Sequence, residues 1–178
     1  MIRTLRPHLT RLFIGALLAL LLAGCGFQLR GSAALPFASM LIDGGAAPTV
    51  APDVVRAVRA SGKTRIAQRI EEAEVILQFV GESRDKRILS LGSSGRVREY
   101  ELLLKVSFRL LSGPGDESAP LQTVELRRDF SYDDARVLAK EQEETALLRD
   151  MQIDAVQQVM RRLAASRVTP QPGRARQP

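Results

Sequence analysis

Side chains able to do chemistry are few, and their placement narrows what they can do. The single His, His8, and the single Cys, Cys25, both lie near the start of the 178-residue chain. One of each excludes an intramolecular disulfide and the usual zinc sets, so no metal site is expected. Acid–base work is left to carboxylates, and Asp133-Asp134 is the obvious pair. Adjacent residues do not face each other across a substrate, and a cap for the helix that follows explains them better than a hydrolase does. Gly92-Ser93-Ser94-Gly95 is too short for a phosphate loop and lacks its lysine, whereas it suits a hairpin connection. The expected protein is not an enzyme and carries no exchangeable cofactor.

The net charge of +6 raises the question of nucleic acid. Arg3, Arg6 and Arg11 supply +3 before Cys25, and Arg167, Arg174 and Arg176 supply +3 after Ala165. Between them, 20 basic and 20 acidic residues cancel. A neutral body with no Trp and two Tyr removes the bulk electrostatic and stacking arguments for a nucleic-acid partner.

The basic N-terminus precedes an apolar run from Leu12 to Ala23. A dozen residues is short for a membrane span, which needs ~20, but suits the apolar region of a signal peptide. The run closes on Leu22-Ala23-Gly24-Cys25, which resembles the bacterial lipoprotein signal. That resemblance implies cleavage after Gly24, a diacylglycerol on the Cys25 thiol and an acyl group on the new amine. At ~0.8 kcal/mol per buried CH₂, two or more acyl chains hold a protein on a bilayer where one does so marginally. Gly26 stands where Asp signals inner-membrane retention in enteric bacteria, so the periplasmic leaflet of an outer membrane is the expected address.

Three segments are therefore expected: a signal peptide at 1–24, one α+β domain at 25–165, and a disordered Pro- and Arg-rich tail at 166–178. Phe27 to Arg30 alternates, as a short strand or a strap beside the membrane, with Phe27 and Leu29 covering either the sheet edge or a partner's wall. Ser39-Met40-Leu41-Ile42 reads as a strand ended by the Asp43-Gly44-Gly45 turn signal. Thr49 or Ala51, then Pro52 and Asp53, open a helix of about ten residues that Gly62 stops. A largely buried strand begins near Val75 and extends toward Leu91. After the glycine turn comes the clearest strand, with Tyr100, Leu102, Leu104, Val106, Phe108 and Leu110 on one side. A further alternating run has Val124, Leu126, Phe130 and Tyr132 on one side, with Arg128 intruding. The last element, about Arg136 to Ala165, is a long helix whose apolar face includes Leu148, Met151, Ala155, Val156, Val159, Met160 and Leu163. These elements predict a two-layer sandwich, two helices on one face of a four-stranded, mostly antiparallel mixed sheet, the other face being more polar.

Several stretches together resemble the LptE family of lipopolysaccharide-assembly lipoproteins. They are Cys25-Gly26-Phe27-Gln28-Leu29-Arg30, Arg98-Glu99-Tyr100-Glu101-Leu102, and Arg127-Arg128-Asp129-Phe130 followed by Val137-Leu138-Ala139-Lys140-Glu141-Gln142-Glu143. Their order and spacing span essentially all of Cys25 to Ala165. The resemblance implies a partner, an LptD-type outer-membrane β-barrel whose lumen the protein plugs and whose assembly it assists. It also implies delivery of lipopolysaccharide to the outer leaflet, and binding of lipopolysaccharide through basic side chains. Lys140 matches the lysine of the family's Leu-Ala-Lys motif. Where the family can carry an arginine before the hairpin turn this chain has Ser93, leaving Arg96 and Arg98 as the candidate cations. Phosphates on lipid A sugars suit Lys and Arg donors. The plainer account pairs Arg96 and Arg98 with Glu99 or Glu101 on a wet edge, each pair worth ~0–1 kcal/mol. The competing function is a stand-alone envelope lipoprotein that binds another ligand, such as peptidoglycan.

Overall fold

The computed structural model describes residues 35–114, 116 and 118–167. The expected signal peptide, Cys25, the Phe27–Arg30 segment and nearly all of the tail lie outside the described residues. Within them, strand β1 (Ser39–Asp43) leads to helix α1 (Val50–Ser61) and strand β2 (Arg65–Ile66). A 3₁₀ turn (Ile70–Glu72) precedes the long strands β3 (Val75–Leu91), β4 (Val97–Leu111) and β5 (Gln122–Ser131). A second 3₁₀ turn (Asp134–Arg136) opens helix α2 (Val137–Ala165).

The strands form one sheet in the order β2-β1-β3-β4-β5. β1 runs parallel to both β2 and β3, and β3, β4 and β5 form an antiparallel meander. The α+β two-layer expectation holds, with a fifth strand added. That strand, β2, is two residues long and Ile66 is its one apolar member, too little pattern to read from sequence.

Helix formation follows the stripes. Val50, Val54 and Val58 recur every fourth residue and are fully buried. Gly62 ends α1 at a φ of 69°, and its N–H bonds the Arg59 carbonyl at 3.1 Å. Left-handed backbone at this position favours glycine, as the sequence requires. In α2, Met151, Ala155, Val159 and Leu163 make the same four-residue stripe. They close over Leu102, Leu104, Val106 and Phe108 of β4 to form the main core. The first fourteen residues of α2 contribute no fully buried side chain, so the helix overhangs the core at its N-terminal end.

The opposite sheet face is polar over most of its area, with a small cluster of Ile76, Leu111 and Ala119 under the loop after β4. β3 corrects one expectation. Its side chains are buried only from Val75 to Phe79 and then become mostly exposed. A bulge at Val80 is the cause: Phe79 pairs with Phe108 but Gly81 pairs with Ser107, leaving Val80 without a partner. One extra residue reverses the parity of everything after it. Val75, Leu77 and Phe79 face the helices before the bulge. Glu82, Arg84 and Lys86, opposite Val106, Leu104 and Leu102, face them after it.

Candidate functional site

The turn between β3 and β4 is built as expected. Gly92 N–H donates to the Arg96 carbonyl at 2.7 Å, Gly95 N–H donates to the Gly92 carbonyl at 2.9 Å, and Gly95 has a φ of 76°. A Cβ at Gly92 would lie 3.3 Å from Cγ and Cδ of Arg98, whose stem folds over that glycine. The pairing of β4 with β5 brings this tip beside the connection into α2.

All three cations singled out in the sequence meet that connection. Arg96 lies 3.6 Å from the Asp134 carboxylate. Arg98 accepts the Tyr132 N–H on its carbonyl at 2.7 Å and keeps its side chain exposed. Lys140 donates to Ser131 Oγ at 3.0 Å and to Glu143 at 2.7 Å, with its side chain only 15% exposed. The expected edge pairs do not form. Glu99 instead accepts from Ser90 Oγ at 2.7 Å, and among the described residues no carboxylate lies within salt-bridge range of Arg98.

The Asp133-Asp134 pair is occupied in structural work. Asp133 accepts from Ala135 N–H at 3.0 Å and from Arg136 Nε at 3.1 Å, and these bonds hold its carboxyl below the ordinary range. An acid kept ionised by a backbone donor is a cap, and a poor proton donor near neutral pH. Asp134 turns to Arg96.

The sequence reading missed two features of this pole. Lys86 sits over the Tyr100 ring, 4.4 Å from its centroid, and bonds Glu144 of α2. Tyr100 in turn packs against Phe130 and Tyr132 at centroid separations of 5.8 and 5.2 Å. Only the parity reversal at Val80 could have placed Lys86 on this side. The second feature is bare aliphatic surface: Ile88, Leu89 and Leu91 on the hairpin, with Val137 and Leu138 on α2, where Leu138 is 76% exposed. Their signal was present, since Ile88-Leu89 interrupts a charged run and Val137-Leu138 lies outside the buried stripe of α2. Aliphatic side chains among Arg96, Arg98, Arg136 and Lys140 suit an anionic amphiphile: the cations meet phosphate and the aliphatics meet hydrocarbon.

An α+β sandwich with an amphipathic, cation-bearing pole defines a protein of the binding and assembly class. The chain belongs to the LptE family, whose model, described as lipopolysaccharide-assembly, matches residues 37–163. The resemblance read from the sequence therefore holds. Relatives named LPS-assembly lipoprotein LptE in Yersinia enterocolitica and Yersinia pestis are 30% identical over 162 residues, covering 89% of this chain and 77% of theirs. Among solved structures, lipoprotein B from Nitrosomonas europaea is 44% identical with a TM-score of 0.67, covering 79% of this chain and 91% of its own. Rare lipoprotein B from Shewanella oneidensis is 26% identical with a TM-score of 0.62, covering 71% and 94%.

Proposed function

We propose that this protein is the acyl-anchored, non-catalytic partner of an LptD-type barrel in the outer membrane, and that it assists lipopolysaccharide on its way to the outer leaflet. Cys25 carries the diacylglycerol and the N-acyl chain, and the body fills the barrel lumen from the periplasmic side. The observation that carries the reading is the hairpin pole, where Arg96, Arg98 and Lys140 border one connection beside exposed Ile88, Leu91 and Leu138. Family membership supports the same direction. Lipopolysaccharide combines sugar phosphates with acyl chains, and this surface offers a complement to each. A predominantly polar outer sheet face also suits a wet lumen.

The decisive experiment is affinity isolation of the protein from gently solubilised membranes, with the partner's mass measured. A one-to-one complex with a much larger barrel is expected. A clean monomer, or retention on peptidoglycan with no barrel attached, overturns the proposal.

A further inference from the structure

A second concentration of positive charge lies at the other end of the sheet. β1 and β3 run parallel, and β2 pairs with the start of β1, so β2 sits roughly 50 Å of strand length from the hairpin tip at ~3.3 Å per residue. There a shallow groove is walled by Arg59, Lys63, Arg65, Thr64 and Ala38 around Gly62. The left-handed turn at Gly62 folds the chain back from the end of α1 into β2, which sets Lys63 and Arg65 beside Arg59. Two bonds hold the turn in place: Thr64 Oγ1 donates to the Phe37 carbonyl at 2.9 Å, and Arg65 N–H donates to the Ala38 carbonyl at 2.9 Å.

The groove's charge is poorly neutralised. Arg59, Lys63 and Arg65 are all exposed. Arg65 has only a 3.5 Å contact with Glu72, a carboxylate that Arg69 already engages at 2.6 Å. Among the described residues no carboxylate lies within salt-bridge range of Arg59 or Lys63. Arg59 suits the negative end of the α1 dipole, but Lys63 and Arg65 lie beyond the helix, where that dipole offers them little.

We propose that the Arg59–Lys63–Arg65 groove docks on anionic phospholipid head groups of the membrane that holds the acylated terminus. Two observations select this occupant. Three clustered cations complement a surface of phosphate charge, whose attraction for exposed Lys and Arg reaches about one Debye length, ~8–10 Å. In the sequence, the groove wall at Ala38 follows Cys25 by thirteen residues, a tether no longer than ~47 Å when fully extended. An acyl anchor joined to a basic patch is a two-signal attachment, and it orients the body where the anchor alone leaves it free to turn. This pole then meets the head groups, and the hairpin pole does not.

The inference rests on the acylation of Cys25 proposed above, which the intact mass of the purified protein reads separately. The test uses the full acylated chain in vesicles of phosphatidylethanolamine, with and without phosphatidylglycerol. Lysine acetylation is followed by mass spectrometry at Lys63 and at Lys105, an exposed lysine on the polar sheet face. Phosphatidylglycerol is expected to slow labelling of Lys63 several-fold and leave Lys105 unchanged, and added salt to restore it. The Arg59→Glu, Arg65→Glu variant is expected to lose the protection while keeping its circular dichroism. Equal Lys63 labelling in both vesicle types overturns the proposal. So does protection in phosphatidylethanolamine alone, which marks a protein cover. Equal protection by free inorganic phosphate marks a small-anion site and overturns it too.

Discussion

Glu82, in the middle of β3, caps the helix that begins at Val50. Its carboxylate accepts the backbone N–H groups of Val50 and Thr49, each at 3.2 Å, and also the Thr49 hydroxyl. The Glu82 side chain is only 4% exposed. Thr49 occupies the cap position but makes no capping bond of its own. A residue 32 positions later in the chain does that work, and its charge suits the positive end of the helix dipole.

Glu82→Ala is therefore expected to destabilise the fold by ~2 kcal/mol, from the lost cap and the stranded amides. Urea unfolding checks it: the midpoint falls with an unchanged slope. Glu82→Gln retains one acceptor oxygen and is expected to cost less. Equal stability of Glu82→Ala and wild type would remove the cap from the account.

Gly44 is expected to resist even a methyl group. A Cβ there would stand 2.6 Å from Cβ of Ala51 in the first turn of α1. Gly44→Ala forces the helix away from β1, an overpacking that costs ~1–3 kcal/mol. Trimming the neighbour in Gly44→Ala, Ala51→Gly is expected to recover part of that loss in thermal unfolding.

Asp116 is expected to make the loop after β4 sensitive to acid. Hydrogen bonds from the Ser118 hydroxyl and the Ser112 amide and hydroxyl lower its carboxyl to about 2, from an ordinary 3.8. A carboxyl depressed on folding stabilises the loop above its unfolded value and loses that contribution as pH falls toward 2. Amide exchange at Ser112 and Ser118 is expected to quicken across that window. Asp116→Asn is expected to abolish the pH step.

At the hairpin pole, Lys140→Asp is expected to weaken lipopolysaccharide binding several-fold and leave the barrel partner attached. Arg96→Asp is expected to act in the same direction, and added salt to blunt both. Because Lys140 also bonds Ser131 and Glu143, Lys140→Met serves as the control for a purely structural loss, read as melting temperature. Binding by Lys140→Asp equal to wild type at low salt removes Lys140 from the site.

Periodicity alone identified most of the scaffold. The four-residue stripes of α1 and α2, the alternation of β4 and β5 and the glycine turn at Gly92–Gly95 were all legible, because local backbone geometry dictates those spacings. The cations Arg96, Arg98 and Lys140 were legible as well, through a motif resemblance that spans most of the chain.

Only the tertiary structure decided how those parts meet. The bulge at Val80 is one residue in a run of otherwise regular strand, and which register wins depends on how β3 pairs with β4. That choice turns Glu82 and Lys86 toward the helices, so that one caps α1 and the other reaches Glu144 and Tyr100. β2 likewise exists because β1 presents an edge for two residues to pair with. Residue order carries what depends on near neighbours along the chain. Contacts between residues far apart in sequence are settled by competition among whole packings, and no short pattern records the winner.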